Sequence, residues 1–592
     1  MSQLLKTYTN LTPNSPRSSV SDALRAIADA PPTLDTTSSS TLIQALLDDI
    51  KKYAAPALLA VKMMGRTPAG SRVISLPQNL SALLAIATTL RSNPNSSNEA
   101  LKCIANTLLL SESSRVTWIS KDIGGGEASV EMLERSSGAE ELFLASRILF
   151  LCTASASSSA KFIQDLVETK RPGNGTIIDI IGTKIDVLLN SILFGAKMSR
   201  EAMTDLLKFT FNLLVHYPKT VECESQNPTS DTDSQKVMGD FWSQKLDGVL
   251  PPLLRVFNSL PLTSPNPLTS PLTHAIHSLI TIPLSPSLRN VWFGKYSSNS
   301  QSSTNSKSSP STSSNSSPVG SNKFQLPGTS NRCESPTKET KVGALDRALS
   351  SVLAAGRRSL SRSSSPMPSS PAMDTVLHAY DLLDVSLNYF LPGNVDTDHA
   401  SVRELCKKEG ENSLDDLMSP LVLLLTRFCL ADEGVRTRLR EWLVPSDLDR
   451  TRPLEGRSDM LGRCLRLLGS VYHARLKDAV GEMLFAMCDS DATTLSSHFG
   501  YGNVAGFLFH KGIVNAPQGS SSSTTNMASG GAAINPITGT VERQSTPIQM
   551  TEEEKEREVE KLFTLFDRLE KTGAMPASQN PIRKAIHEGK LG

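Results

Sequence analysis

One pattern recurs along this chain and restricts its fold more than any other feature. A run of about twenty residues is apolar at positions i, i+3, i+4 and i+7, the spacing of one helix face, and a short polar break follows. It appears in NEALKCIANTLLLSESSR from Asn98, ELFLASRILFLCTASASSSA from Glu141 and EAMTDLLKFTFNLLVHYPKT from Glu201. It returns in PLTHAIHSLITIPLSPSL from Pro271, LMSPLVLLLTRFCLADEGVR from Leu417 and DMLGRCLRLLGSVYHARLKD from Asp459. Strand-like alternation is nearly absent. The first two runs start about 43 residues apart, within the period of armadillo and HEAT-type repeats; later spacings vary with insertions. No such helix covers its apolar face alone, so neighbours must stack. The expected fold is all-α, an armadillo/HEAT-like α-solenoid with a groove along one side. An ordinary globular helical bundle is the alternative.

Two polar stretches interrupt the pattern. Ser297 to Pro371 includes SSNSQSSTNSKSSPSTSSNSSPVGSN and SRSSSPMPSSP. Ser, Asn and Pro dominate there, and apolar residues are too few to offset the entropy of ordering. Its Ser-Pro pairs, from Ser309 to Ser370, suit proline-directed kinases. A second stretch, APQGSSSSTTNMASGG, precedes MTEEEKEREVEKLFTLFDRLEKTG, Met550 to Gly573. That last segment is expected to be one helix. Thr551 and Glu554 suit a capping box, and Gly573 suits the left-handed turn that ends a helix. Val559, Leu562, Phe563, Phe566 and Leu569 share one face. The expected organisation is a flexible N-terminus (1–19), a first solenoid part (20–295) and a disordered insertion (296–371). A second solenoid part (372–514), a linker (515–549), a tethered amphipathic helix (550–573) and a flexible tail (574–592) follow.

Charge and cysteine usage narrow the function classes. Lys and Arg total 60 and Asp and Glu 59, a balance that argues against broad electrostatic binding to nucleic acid or anionic membrane. The eight cysteines form no C-x-x-C pair. Most lie in apolar helical text and are expected to be buried thiols in a reducing, cytoplasmic compartment. MSQLLKTYTN does not have the form of a secretory signal. The longest apolar run, in SPLVLLLTRFCLA, is broken by Thr426 and Arg427 and is too short for a membrane span.

Catalytic signatures are missing. GGGEAS at Gly124 has glycines without the Lys-Ser/Thr of a P-loop and is expected to be a turn. His274 and His277 fall on one helix face, but two histidines without a third ligand make a weak metal site. No G-x-S-x-G occurs, and the acidic residues are spread over helix surfaces. No catalytic residue, metal or cofactor is expected. The residues describe a binding protein.

Three further stretches are more specific: SSHFGYGNVAGFLFHKGI, ending at Ile513; AINPITGTVER, 533–543; and the helix from Met550. Their order resembles the C-terminal third of the synembryn family, the resistance-to-inhibitors-of-cholinesterase proteins. LVPSDLDRTRPLEGRSDMLGRCLRLLGSV, ALKCIANTLLLS, RILFLCTA and LKFTFNLL are also similar to that family. The likeness covers most of the chain and fails in the Ser-rich insertion.

The resemblance implies an armadillo-type solenoid acting on heterotrimeric G-protein α subunits, both as a non-receptor exchange factor and as a folding chaperone. The implied mechanism captures the client's C-terminal helix in the groove and draws it from the nucleotide site, so GDP leaves. VKMMGR resembles the family segment whose two basic residues, here Lys62 and Arg66, hold the client's terminal carboxylate. Lys62 stands where the family usually has Arg, keeping charge but losing bidentate geometry. Asn106 matches an inner-face Asn, able to donate to and accept from a peptide backbone. Asn212, with Phe209 and Phe211 beside it, is a similar candidate. Animal members carry an acidic, phosphorylatable segment where this chain has GSSSSTTNMASGG. The implied protein is a monomer without nucleic acid or a membrane span, recruited to the plasma membrane through its client. The competing reading is a non-catalytic solenoid adaptor for peptide or cytoskeletal partners. For the terminal helix, the face from Val559 to Leu569 either meets the client or caps the last repeat.

Overall fold

The computed structural model describes residues 3–12, 14–29, 36–49, 54–90, 93–172, 175–225, 242–294, 374–409 and 413–513, together with 534–535, 537–541, 552–571 and 580. The expected disordered insertion, 296–371, and the tail, Asn580 excepted, lie outside these residues, as do Thr551 and Gly573.

The helices run α1 Gln3–Thr9, α2 Arg17–Ala28, α3 Thr36–Asp49, α4 Ala54–Met64, α5 Pro68–Ile74, α6 Pro77–Thr89, α7 Pro94–Leu110, α8 Glu112–Ile119, α9 Gly125–Arg135, α10 Ala139–Cys152, α11 Ala156–Glu168, α12 Ile177–Leu193, α13 Ser199–Ser225, α14 Leu250–Ser259, α15 Leu272–Leu279 and α16 Arg289–Phe293. After the insertion come α17 Thr375–Phe390, α18 Ala400–Lys408, α19 Leu414–Ala431, α20 Glu433–Leu443, α21 Met460–Leu468, α22 Ala474–Met487, α23 Ala492–Phe499, α24 Tyr501–His510 and α25 Glu552–Lys571. Among the described residues the β-type pairing is one bridge, Ile534 to Val541.

Local chemistry sets the helix starts. Thr176 with Asp179 and Ser413 with Asp416 make capping boxes, satisfying first-turn N–H groups. Asp432, Asp459 and Asp491 cap α20, α21 and α23 with one carboxylate each. Proline opens α5, α6 and α7, where its missing N–H is no loss. Of the glycines at 124–126, the first makes the expected turn and the other two allow close packing. Gly124 takes φ 66°, and a Cβ on Gly125 would stand 2.3 Å from the Trp118 ring.

The helices stack in two parallel ladders. In one, α4, α7, α10, α13, α15, α19 and α22 each pack on the next. In the other, α9, α12, α14, α17, α21 and α24 do the same. Cross-packing of α9 with α10, α12 with α13, α14 with α15, α17 with α19 and α21 with α22 joins them. This is the solenoid, not a closed bundle, because a helix meets its ladder neighbours and its rung partner rather than a common centre. Ile104, Ile148, Leu206, Phe209, Leu279, Leu425 and Leu484 are fully buried. Each such side chain contributes about 1.5–3 kcal/mol over exposure. The ladders continue across the insertion. Asn258 on α14 donates to Thr375 Oγ1 at 3.0 Å, and Arg427 on α19 donates to the Ile280 and Ile282 carbonyls. Cys103, Cys152, Cys406, Cys429, Cys464 and Cys488 are buried free thiols.

Two expectations are corrected. The N-terminus is not all flexible: α1 buries Leu5 and Tyr8, and its apolar side is large enough to dock on α2 and α3. The linker 515–549 is not one tether either, because residues 534–535 and 537–541 fold back as a clasp on the last repeat. The Ile537 carbonyl accepts from Gly502 N at 2.8 Å, and Val541 N donates to the Arg450 carbonyl at 2.9 Å. The buried Arg450 guanidinium donates to the Gly539 carbonyl at 2.7 Å. A Cβ on Gly500, which has φ 82°, would meet the Gly539 and Thr538 backbone at 2.6 Å. Side chains strain at this φ and have no room there.

Gly125→Ala should therefore lower stability by about 1–3 kcal/mol through overpacking against Trp118, measured by urea unfolding. Gly500→Ala should unseat the clasp while the ladders stay folded. Limited proteolysis within residues 514–551 should then be faster, with the circular dichroism spectrum unchanged.

Candidate binding face of the helix ladder

The α4-to-α22 ladder leaves one side of each helix away from the core. At its N-terminal end this side is a chain of ion pairs. Lys62 on α4 contacts Glu99 on α7 at 2.5 Å; Lys102 contacts Glu99 at 3.0 Å and Glu140 on α10 at 2.9 Å. Burial pushes the Glu99 carboxyl up, but its bonds to Lys62 and Lys102 and their charges outweigh that and hold it below its usual value. Arg66, just beyond α4, is exposed. Asn106 on α7 is half-buried, and among the described residues its side chain has no hydrogen-bond partner.

Further along, the face becomes aromatic and cationic. Phe143, Arg147 and Phe150 follow one another at i, i+4 and i+7 on α10, and all three are half-buried. Arg147 lies 5.5 Å from the Phe143 ring and Lys208 lies 5.5 Å from the Phe150 ring, within cation–π range. Asp205, 4% exposed, sits between the two cations, 3.1 Å from Arg147 and 3.3 Å from Lys208. On α13 Phe211 approaches His277 of α15 at 6.4 Å between centroids, and His277 approaches His274 at 6.0 Å. Burial, then the charge of Lys208 and the neighbouring His277, push His274 down to about 4; burial also lowers His277. Both imidazoles are neutral at neutral pH, each offering one donor and one acceptor. The row thus gathers aromatic rings, two cations paired with Asp205 and two neutral imidazoles along successive ladder helices.

Phe209 does not belong to this face. It is fully buried, in line with Leu206 and Leu213, and the neighbouring Phe211 is the ring at the surface. Asn212 is also committed: its amide donates to the Phe150 carbonyl and to Thr153 Oγ1, both at 3.1 Å. It ties α13 to the end of α10 and fixes where Phe150 stands. Phe143, Arg147, Phe150 and Lys208 were missed. The available signal was their i, i+3 or i+4 spacing opposite the core stripe, in ELFLASRILF and LLKFTF. His274 and His277 do share a helix face, and among the described residues no cluster of three metal-ligating side chains occurs.

On α25, Leu562 and Phe563 are 47% and 41% exposed, and Phe566 is half-buried. The side chains of Val559 and Leu569 lie outside the described residues. Leu565 and Arg568 border a cavity of about 340 Å³ whose other walls include Leu465, Val471 and Phe507.

Stacked helices with one aromatic and cationic row define a helical-repeat protein. The chain belongs to the guanine nucleotide exchange factor synembryn family, whose model matches residues 57–590. It is 33% identical over 205 residues to the chaperone Ric-8A of Rattus norvegicus, a match covering 33% of this chain and 38% of that protein. It is 29% identical over 193 residues to a synembryn-like chaperone of Schizosaccharomyces pombe, covering 30% and 35%. To the chaperone Ric-8 of Drosophila pseudoobscura pseudoobscura it is 29% identical over 181 residues, covering 28% and 32%. The matched segment thus spans about a third of these curated relatives. An engineered protein of known structure aligns over 87% of this chain and 96% of its own at 11% identity and a TM-score of 0.39, too low to bear on the fold.

The two histidines supply a test of the face. Their values lie below the ordinary 6.5, so the unfolded chain binds protons first as pH falls. The stability they contribute is whole above pH 6.5 and drains away toward about pH 4, the His274 value. His274→Gln with His277→Gln should flatten that part of the stability curve, read by chemical unfolding at about pH 7 and about pH 5.

Proposed function

We propose that this chain is a non-receptor guanine nucleotide exchange factor and folding chaperone for heterotrimeric G-protein α subunits, and that its ladder face takes the client's C-terminal helix. The observation that carries this reading is the continuous row of Phe143, Arg147, Phe150, Lys208, Phe211 and His277 across three successive ladder helices. Family membership directs the choice of client.

Exchange requires that the protein bind the nucleotide-free α subunit more tightly than the GDP form, since equal affinity shifts nothing. Seating the client's last helix on this face supplies that difference if the helix must leave the nucleotide domain to reach it. Apolar side chains of the helix meet Phe150 and Phe211, and its terminal carboxylate is drawn by Arg66. Lys62 is already paired with Glu99 and contributes only by exchanging that partner, so Arg66 is the principal anion receptor of the pair. Asn106 offers its unpaired amide to backbone groups. Leu562, Phe563 and Phe566 on α25 form a second contact, on the client's body. The protein works as a monomer in the cytoplasm and reaches the membrane with its client. Among the described residues no helix is long and apolar enough to cross one.

The decisive experiment is release of labelled GDP from a purified α subunit. A non-catalytic adaptor would bind without accelerating release. Phe150→Asp with Phe211→Asp should lower client affinity about 100-fold or more, since each lost Phe contact is worth about 1.5–3 kcal/mol. Arg66→Glu should weaken binding of a peptide copying the client's last helix without changing the melting temperature. Truncation after Val541 keeps the clasp and removes α25. It should slow GDP release about ten-fold or more with stability unchanged; a lower melting temperature instead would assign α25 to capping.

A further inference from the structure

We propose that Asp205 is a specificity-determining residue of the ladder face, setting it to take a client helix whose central polar groups are uncharged. The inference rests on the reading that this face holds the client's last helix.

Asp205 acts through other groups and does not itself touch the client. Its side chain is 4% exposed, against 38% for Arg147 and 32% for Lys208. Its two carboxylate oxygens are divided between these cations. Arg147 Nη1 donates to Oδ2 at 3.1 Å and Lys208 Nζ donates to Oδ1 at 3.3 Å. Each cation also stands 5.5 Å from a ring of the row, Arg147 by Phe143 and Lys208 by Phe150. A client laid on these rings meets the cations directly and the carboxylate only through its field.

Two cations and one anion leave a single net positive charge where the cations alone would carry two. Salt screens a buried charge poorly, so the field of Asp205 reaches whatever contacts Arg147 and Lys208. Much of their attraction for an acidic side chain is thereby cancelled, while stripping water from that side chain on the aromatic row still costs energy. The cations keep their hydrogen-bonding capacity, because each has N–H groups beyond the one given to Asp205. Amide, hydroxyl and backbone carbonyl oxygens satisfy these donors without bringing charge. The arrangement recurs at the N-terminal end of the ladder, where Glu99 takes Lys62 on one oxygen and Lys102 on the other. In both places an acid joins a cation three residues on to a cation of the preceding ladder helix. A face that cancels its own charge twice is built for a helix that brings little.

The test uses the full chain and labelled peptides copying the last helix of the α subunit, followed by fluorescence anisotropy. The peptides come in pairs with Gln or Glu at one position, scanned through the central turns. The Glu-to-Gln affinity ratio isolates charge from apolar contact and from fold stability. In the wild type no pair should favour Glu by more than about three-fold. Asp205→Asn keeps the shape and removes the charge, and at least one pair should then favour Glu by about ten-fold or more. Lys208→Met leaves the Arg147–Asp205 pair in place and should move the same peptide pair toward Gln. Ratios in Asp205→Asn equal to those of the wild type would overturn the proposal, as would a wild type that already favours Glu about ten-fold. Should Asp205→Asn fail to fold, no shift toward Gln in Lys208→Met would overturn it. Failure of every peptide to bind the wild type would reject the ladder face as the client site, and this proposal with it.

Discussion

Everything in this molecule depends on one fact about its helices: none can bury its apolar stripe without the next. Burial therefore propagates along the chain rather than converging on a centre. Each ladder helix gives two flanks to its neighbours and a third to its rung partner. The remaining side is excused from packing, and only there can the sequence place groups such as Arg147, Lys208 and Phe211 without disturbing the core. The aromatic and cationic row is a by-product of the stacking geometry, and its course from α10 to α15 follows from the unbroken ladder.

The same fact explains the tolerance for the long Ser-rich insertion. The packing of α14 on α17 and α15 on α19 closes the core across it, and Asn258 and Arg427 add polar bonds at the seam. Closing a longer loop adds entropy cost only logarithmically. The segment's length and composition are thus nearly decoupled from the stability of the repeats that flank it.

The helices were legible in the sequence because their apolar spacing is a local signal. So were the buried cysteines and the turn at Gly124; the capping boxes at Thr176 and Ser413 and the close packing of Gly125 were not read from it. The orientation of single residues was harder. Phe209 and Phe211 stand two apart in LKFTFNLL, and only the full stripe of Leu206, Phe209 and Leu213 tells which ring faces inward. Asn212 looks like a groove amide in the sequence, yet its bond to Phe150 spans two repeats and leaves no local trace. Lys62 carries the expected charge, but its pairing with Glu99 depends on stacking α4 against α7. The clasp was hidden for the same reason. A polar turn such as NPITGT resembles any linker until Gly500 and Arg450, distant in sequence, are brought against it.

That clasp changes what the last helix can do. With residues 537–541 fixed to the final repeat, only residues 542–551 separate the anchor from α25. Ten residues reach about 35 Å at full extension, whereas the 35-residue linker expected from sequence would reach about 120 Å. The helix is thus confined to a small volume around the end of the ladder. Its effective concentration for any surface presented there is raised, and surfaces farther away are denied to it. A partner seated on the ladder face meets α25 as an intramolecular event, but only if its own dimensions bring it within that radius. The two glycines that let the clasp close thereby act as a ruler for the size of the bound protein.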